Sequence, residues 1–136
     1  MEQLTVEDLL SIAEEVLGTP AVTDIGLLDS AAHRPQASIF GQDAYPTIHE
    51  KAAALLDAVV RHRALVDGNK RLGWAATVVF YDLNGLDLDP PSVDEAVELV
   101  VAVAAGHMEL GKLSERLASW AHQHGLGTRL PRGAGG

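Results

Sequence analysis

The run Asp67-Gly68-Asn69-Lys70-Arg71 holds the residue types most suited to chemistry in this chain. It joins one long helical pattern to another, and the backbone N–H groups in the first turn of a helix have no intrahelical partner. Those groups lie at the positive end of the helix dipole, so Gly68, Asn69 and the residues after them can bind an anion. Asp67 offers a hard oxygen ligand for Mg²⁺, and Lys70 and Arg71 can neutralise phosphate charge. The pattern therefore predicts a site that handles nucleotide phosphates.

The same residues also have a simpler explanation. Asp-Gly and Gly-Asn pairs are common turn formers, and Asp or Asn often caps a helix with no ligand near it. On the local pattern alone, a phosphate site and an ordinary turn before a helix both remain open.

A longer stretch resembles a known family. Residues 62–71 read His-Arg-Ala-Leu-Val-Asp-Gly-Asn-Lys-Arg, and the signature of the Fic/Doc family is usually His-Pro-Phe-x-Asp/Glu-Gly-Asn-Gly/Lys-Arg. Lys70 stands where many members have a second glycine, which points to the death-on-curing (Doc) branch. The resemblance continues in Tyr45-Pro46-Thr47 and in residues 50–56 and 72–85, so it covers nearly the whole chain, from residue 4 to residue 122.

One position departs from the family pattern. The catalytic histidine of the family lies four residues before the acid, and here that position is Arg63, followed by Ala64 and Leu65 in place of Pro and Phe. Arginine stays protonated and cannot accept a proton from a hydroxyl nucleophile. His62 is one residue early, and in a continuous helix it would point about 100° away from position 63. We therefore expect an impaired enzyme, with a one-residue bulge that aligns His62 as the alternative.

The resemblance implies a specific function. It implies a toxin of a toxin–antitoxin pair that transfers the γ-phosphate of ATP to a hydroxyl of a translation factor, elongation factor Tu, in the cytoplasm. A small antitoxin of the Phd type would neutralise it by laying a helix in a surface groove. Asp67 would orient Mg²⁺, Gly68 and Asn69 would line an anion hole, and Lys70 and Arg71 would hold phosphates. The alternatives are AMP transfer by the ordinary Fic mechanism and a catalytically dead fold that serves as a binding module.

Composition limits the possible classes of protein. A chain of 136 residues that is 47% hydrophobic can form one domain with its own core, and the lack of cysteine excludes thiol catalysis. The net charge of −9 argues against a DNA-binding protein. Residues 1–8 show no basic segment followed by an apolar one, as a secretory signal would. The longest apolar run, residues 99–105, is too short to span a membrane and predicts a central buried helix.

Periodicity and capping residues predict an all-α, compact single-domain bundle of about six helices over residues 1–124, followed by a flexible tail, residues 125–136. The predicted helices cover residues 5–17, 27–35, 47–66, 71–83, 92–105 and 112–122. In a helix, His122 and His124 would lie on different faces, which argues against a zinc site there.

A polar segment, residues 37–44, separates the second and third predicted helices and contains Ile39, Phe40 and Gly41. The resemblance implies a flap beside the active site at this place. The segment could form that flap as a small β-hairpin. An Ile-Phe pair could equally anchor the loop to the core, and the sequence leaves both open.

Overall fold

The computed structural model describes residues 1–124, and the predicted flexible tail lies outside the described residues. The elements are α1 (Val6–Leu17), α2 (Ile25–His33), a 3₁₀ helix (Arg34–Gln36), β1 (Ser38–Ile39), β2 (Gln42–Asp43), α3 (Ile48–His62), α4 (Asn69–Leu83), β3 (Leu86–Leu88), α5 (Val93–Ala104), α6 (Leu110–Trp120) and β4 (Ala121–Gln123). The sheets of residues 1–124 are two small antiparallel ribbons, β1–β2 and β3–β4. The predicted all-α class with about six helices is confirmed.

Helix α3 forms the centre of the core, and α2, α4, α5 and α6 pack around it. Its buried residues are Lys51, Ala52, Ala53, Ala54, Leu55, Leu56, Ala58, Val59 and Val60. Helix α4 runs back along α3, and at Gly73 an added Cβ would lie 2.5 Å from Val60 Cγ1. Only glycine permits this close approach. The α3–α4 loop therefore lies at one end of a tightly packed helix pair.

Three of the six α-helices within residues 1–124, α1, α3 and α5, begin where the sequence predicts. Thr5 and Asp8 form a complete capping box at α1, the Thr47 hydroxyl accepts the N–H of Glu50 at α3, and the Ser92 hydroxyl caps α5. Each side-chain oxygen satisfies a backbone donor that the helix itself leaves unpaired. These starts are local properties and were predictable for that reason.

Several helix ends differ from the prediction. The periodicity extends α3 to about residue 66, whereas the helix ends at His62, because residues 64–66 pair with the segment after α1. The Val66 N–H donates to the Ala21 carbonyl, and the Thr23 N–H donates to the Ala64 carbonyl. Helix α2 covers Ile25–His33 instead of residues 27–35, since Asp24 caps it. Helix α6 covers Leu110–Trp120 instead of residues 112–122, because strand β4 begins at Ala121.

The two ribbons had different sequence signals. Strands β1 and β2 form a small β-hairpin, which the sequence allowed within residues 37–44. The β3–β4 ribbon was missed, because each strand has three residues and its partner lies more than 30 positions away. Consequently His122 lies in a strand and His124 follows it directly, so the prediction of a helix there was wrong. Residues two apart in a strand share a face.

Helix α5 is not the central buried helix that its apolar run predicts. Ala96, Leu99, Val100 and Val103 face the core, while the valines at positions 93, 97 and 101 are exposed. The helix therefore lies at the periphery with an apolar outer stripe. No helix within residues 1–124 has the length and apolar character needed to cross a bilayer.

Candidate functional site

The loop from residue 63 to residue 68 begins with Arg63, which caps α3 in the left-handed conformation at φ 56° and ψ 49°. Few residues other than glycine adopt this conformation, although Asn, Asp and His do so more readily than most. Because Arg63 is no longer helical, the expected 100° rotation between His62 and position 63 does not describe this site. The Arg63 side chain is exposed and leaves from the loop.

The loop is held in place by two sets of hydrogen bonds. Residues 64–66 bond to the segment 21–23, which includes a β-bridge between Val22 and Leu65. The Asn69 side chain closes the other side: its Oδ1 accepts the Leu65 N–H at 3.0 Å, and its Nδ2 donates to the Leu65 carbonyl at 3.0 Å. Both polar groups of the Asn69 amide are therefore used inside the protein. Asn69 retains its backbone N–H for an anion.

Gly68 precedes the first turn of α4 with φ 89°, a conformation that disfavours every side chain. An added Cβ would also lie 2.7 Å from Leu17 Cδ1. The first i→i−4 bond of α4 runs from the Leu72 N–H to the Gly68 carbonyl, so the N–H groups of residues 69–71 have no acceptor within the helix. This turn has the geometry of an anion-binding helix start.

Three exposed cations surround this helix start: Arg63, Lys70 and Arg71. Among residues 1–124, none of the three forms an ion pair or a side-chain hydrogen bond. Asp67 is also exposed, and one of its carboxylate oxygens accepts the Gly68 N–H at 2.9 Å. A local cluster of free positive charge in a chain of net charge −9 can attract an anionic ligand to this place.

His62, the last residue of α3, contacts the backbone of α2. Its Nδ1 lies 3.2 Å from the Leu27 carbonyl oxygen, which can only accept a hydrogen bond. Nδ1 therefore carries the proton, and Nε2 of the neutral ring keeps its lone pair. This contact holds the His62 ring against α2.

The β1–β2 hairpin carries the predicted flap residues at its tip. Ile39 is 61% exposed and Phe40 is fully exposed, so the alternative that they anchor the loop to the core is wrong. Phe40 and Gly41 form a two-residue turn with positive φ at both positions. The base of the hairpin is held by the buried Lys51, whose Nζ lies 3.2 Å from Asp43 Oδ2. An exposed Phe in a strained turn suits contact with another molecule.

An apolar groove between α4 and α5 was missed by the sequence prediction. Its volume is about 540 Å³. It is lined by Val16, Lys70, Arg71, Trp74, Ala75, Val78, Leu88, Pro90, Val93, Ala96, Val97, Val100 and Val101. The four-residue spacing of the valines at 93, 97 and 101 could have indicated an apolar stripe along one face of α5. The apolar run around them predicted a buried helix instead. The groove ends at the cations of the candidate phosphate site.

Within residues 1–124, the side chains of His49, Tyr81 and Arg34 have shifted pKa values, and all three lie outside the α3–α4 loop. Burial lowers the pKa of His49 and raises the pKa of Tyr81, and the two neutral side chains share a 2.8 Å hydrogen bond. They lie at the opposite end of the α3–α4 pair, about 20 Å from the loop at 1.5 Å per helical residue. Arg34 near the hairpin is desolvated, which lowers its pKa, but hydrogen bonds to Asp57 and Tyr45 raise that pKa on balance. These contacts stabilise the scaffold.

Comparison with known proteins shows which proteins this chain resembles. A family model described as the Fic/DOC family matches residues 3–81, which include the α3–α4 loop. The chain is also 44% identical over 122 residues to a protein of Mycolicibacterium smegmatis named Toxin Doc. That match covers 88% of this chain and 94% of the relative.

Proposed function

The chain belongs to the Fic/DOC family, and we propose that it is a Doc-like toxin of a toxin–antitoxin system that binds ATP through the α3–α4 loop. The observation that carries this proposal is the free positive charge of Arg63, Lys70 and Arg71 around a helix start in an acidic protein. Unpaired surface cations next to open N–H groups favour an anionic ligand. The 44% identity to Toxin Doc supports the same assignment.

Asp67 fits the Mg²⁺ that such a nucleotide brings. Its carboxylate is exposed beside the helix start, and one oxygen is used by the Gly68 N–H, which leaves the other for a metal. Mg²⁺ commonly takes one or two carboxylates together with phosphate oxygens and water. When bound, it would neutralise charge on the phosphates, and Lys70 and Arg71 would hold the remaining phosphate oxygens.

The proposed reaction is transfer of the γ-phosphate to a hydroxyl of elongation factor Tu, which would place the protein's action in the cytoplasm. The hydroxyl oxygen bonds to the γ-phosphorus, the bond from that phosphorus to the bridging oxygen breaks, and ADP leaves. The hydroxyl proton must then go to a base, and Arg63 cannot accept it. We therefore propose that the unaltered chain transfers phosphate slowly.

Lys70 favours phosphate transfer over AMP transfer. A long cation at the position where nucleotide-transferring members keep glycine occupies the space that their phosphates need. The second candidate function, a catalytically inactive binding module, is favoured by Arg63. Expression without antitoxin separates an active toxin from an inactive module, because only the active toxin arrests translation.

The groove between α4 and α5 suits an amphipathic helix of a small antitoxin of the Phd type. Its valines offer an apolar floor, and Lys70 and Arg71 at its end favour an acidic partner residue. A helix that reaches these cations would cover the phosphate site. We expect Val97→Asp to abolish co-purification with the antitoxin, and Leu83→Asp, an exposed apolar position outside the groove, to leave it intact.

The phosphate site is tested by calorimetry with ATP and Mg²⁺ on the full chain. Lys70→Glu should weaken binding at least tenfold, because it replaces an attractive charge with a repulsive one. Lys112→Glu is the matched control, since it makes the same charge change at an exposed lysine of α6. Equal affinities for the unaltered chain and both variants would refute the site.

A further inference from the structure

Two aspartates and a histidine from three elements converge at the far end of α4. Asp82 lies in the last turn of α4, Asp87 lies in β3, and His124 follows β4. The His124 Nε2 lies 3.1 Å from Asp82 Oδ1 and 3.2 Å from Asp87 Oδ1. Each of the three residues offers one ligand atom that lies within 4.8 Å of those of the other two. This cluster has no part in the site at the start of α4.

The strand register explains this convergence. Asp87 pairs directly with His122, and strand alternation places Asp89 and His124 on the same face of the ribbon. A second contact on that face joins His122 Nε2 to Asp89 Oδ2 at 3.6 Å. One face of a two-stranded ribbon thus presents two aspartates from one side and two histidines from the other.

The backbone of this face is held at both ends. The Asp89 N–H donates to the Trp120 carbonyl at 2.8 Å, and the His124 N–H donates to the Gly85 carbonyl at 2.9 Å. The opposite face of β3 carries Leu86 and Leu88, which pack against the core. His124 is therefore positioned by the ribbon itself, beside the aspartates of β3 and α4.

We propose that Asp82, Asp87 and His124 form a binding site for a divalent transition metal of the Zn²⁺ class. Zinc binds His nitrogen and carboxylate oxygen at about 2.0 to 2.2 Å, so neighbouring ligands of a tetrahedral site are about 3.4 Å apart. The two Nε2 to oxygen distances are within a few tenths of an ångström of that value. Small side-chain movements would complete three ligands, and water would supply the fourth.

The alternative is an ion pair between a protonated His124 and the aspartates. A single Nε2–H can be directed well at only one oxygen, whereas both carboxylate oxygens approach this nitrogen equally closely. Two carboxylates held this close also repel each other. A divalent cation among the three residues would offset this repulsion, and Zn²⁺ accepts both His nitrogen and carboxylate oxygen as ligands.

A metal bound by Asp82, Asp87 and His124 would cross-link the end of β4 to α4 and β3. Asp82 lies 13 positions beyond the start of α4, so the metal would be about 20 Å from the phosphate site at the rise of an α-helix. Metal binding should therefore stabilise the fold without entering the ATP site. Its test is independent of the proposed function.

The experiment uses the full chain without an affinity tag, freed of metal with a chelator and titrated with Zn²⁺ alone. We expect one bound ion per chain and a melting temperature at least about 4 °C higher at saturation. Titration with Co²⁺ should give the absorption of a four-coordinate site with a nitrogen ligand. Since residues 125–136 contain no His, Asp or Glu, they do not compete for the metal.

Variants assign the ligands. His124→Ala and Asp87→Asn should each weaken Zn²⁺ binding more than tenfold and remove the thermal shift. His33→Ala is the matched control, because His33 also contacts an aspartate, Asp29, at 3.4 Å, but only one. Circular dichroism verifies that each variant is folded, and if one is not, the Co²⁺ spectrum of the unaltered chain decides. No stoichiometric binding, or equal binding by the His124 variant, would overturn the proposal.

Discussion

Replacement of Arg63 by histidine should restore phosphotransferase activity. Arg63 occupies the left-handed conformation at φ 56°, which histidine tolerates better than most residues, so the substitution should not disturb the loop. The bonds of residues 64–66 and Asn69 that hold the loop involve no atom of the Arg63 side chain. The new imidazole would leave from the same backbone position and be largely neutral at pH 7.

The expected gain follows from the role of a general base. A positioned base contributes about 10² to 10⁴ in rate, which corresponds to about 3 to 5 kcal/mol of the activation barrier. The assay measures initial transfer of label to purified elongation factor Tu from ATP labelled on the γ-phosphate. A parallel reaction with ATP labelled on the α-phosphate detects AMP transfer.

Arg63→Asn is the matched control for this experiment. Asparagine also tolerates the left-handed conformation and removes the positive charge, but it supplies no base. If Arg63→His is no faster than Arg63→Asn, the reasoning about a missing base is wrong. Rapid transfer by the unaltered chain would also contradict it, and loss of that activity in His62→Ala would assign the base to His62.

Three further predictions concern the start of α4. Arg71→Ala should weaken binding of ATP and Mg²⁺ by about 1.5 to 3 kcal/mol, measured by calorimetry, and unchanged affinity would mean that the turn is only a helix cap. Asp67→Asn should keep the melting temperature, because the amide oxygen can still accept the Gly68 N–H, but it should abolish the Mg²⁺ dependence of binding. If Asp67→Asn combined with Arg63→His is as active as Arg63→His alone, Asp67 has no metal role. Gly68→Ala should destabilise the fold by about 1 to 3 kcal/mol in thermal unfolding, through its positive φ and its clash with Leu17. Partial recovery in combination with Leu17→Ala would confirm the clash, and an unchanged melting temperature would exclude it.

The starts of α1, α3 and α5 and the turn chemistry could be predicted from the sequence, because both depend on residues close together in the chain. Thr5, Thr47 and Ser92 cap their helices through bonds to residues three positions later. The end of α3 could not be predicted, since residues 64–66 continue the helical pattern of the sequence. In the structure they are not helical, because they pair with residues 21–23. Tertiary contacts outweighed local periodicity there.

By itself the sequence determined the identity of the candidate site. The acid, the glycine and the two cations follow one another at a helix start. The sequence also showed that position 63 carries a guanidinium, which cannot accept a proton in any fold. Only the tertiary structure decided the left-handed turn at Arg63 and the internal use of the Asn69 amide. It alone also produced the apolar groove beside Lys70 and the cluster of Asp82, Asp87 and His124. These features depend on residues brought together from distant parts of the chain by packing and strand pairing, which no local pattern encodes.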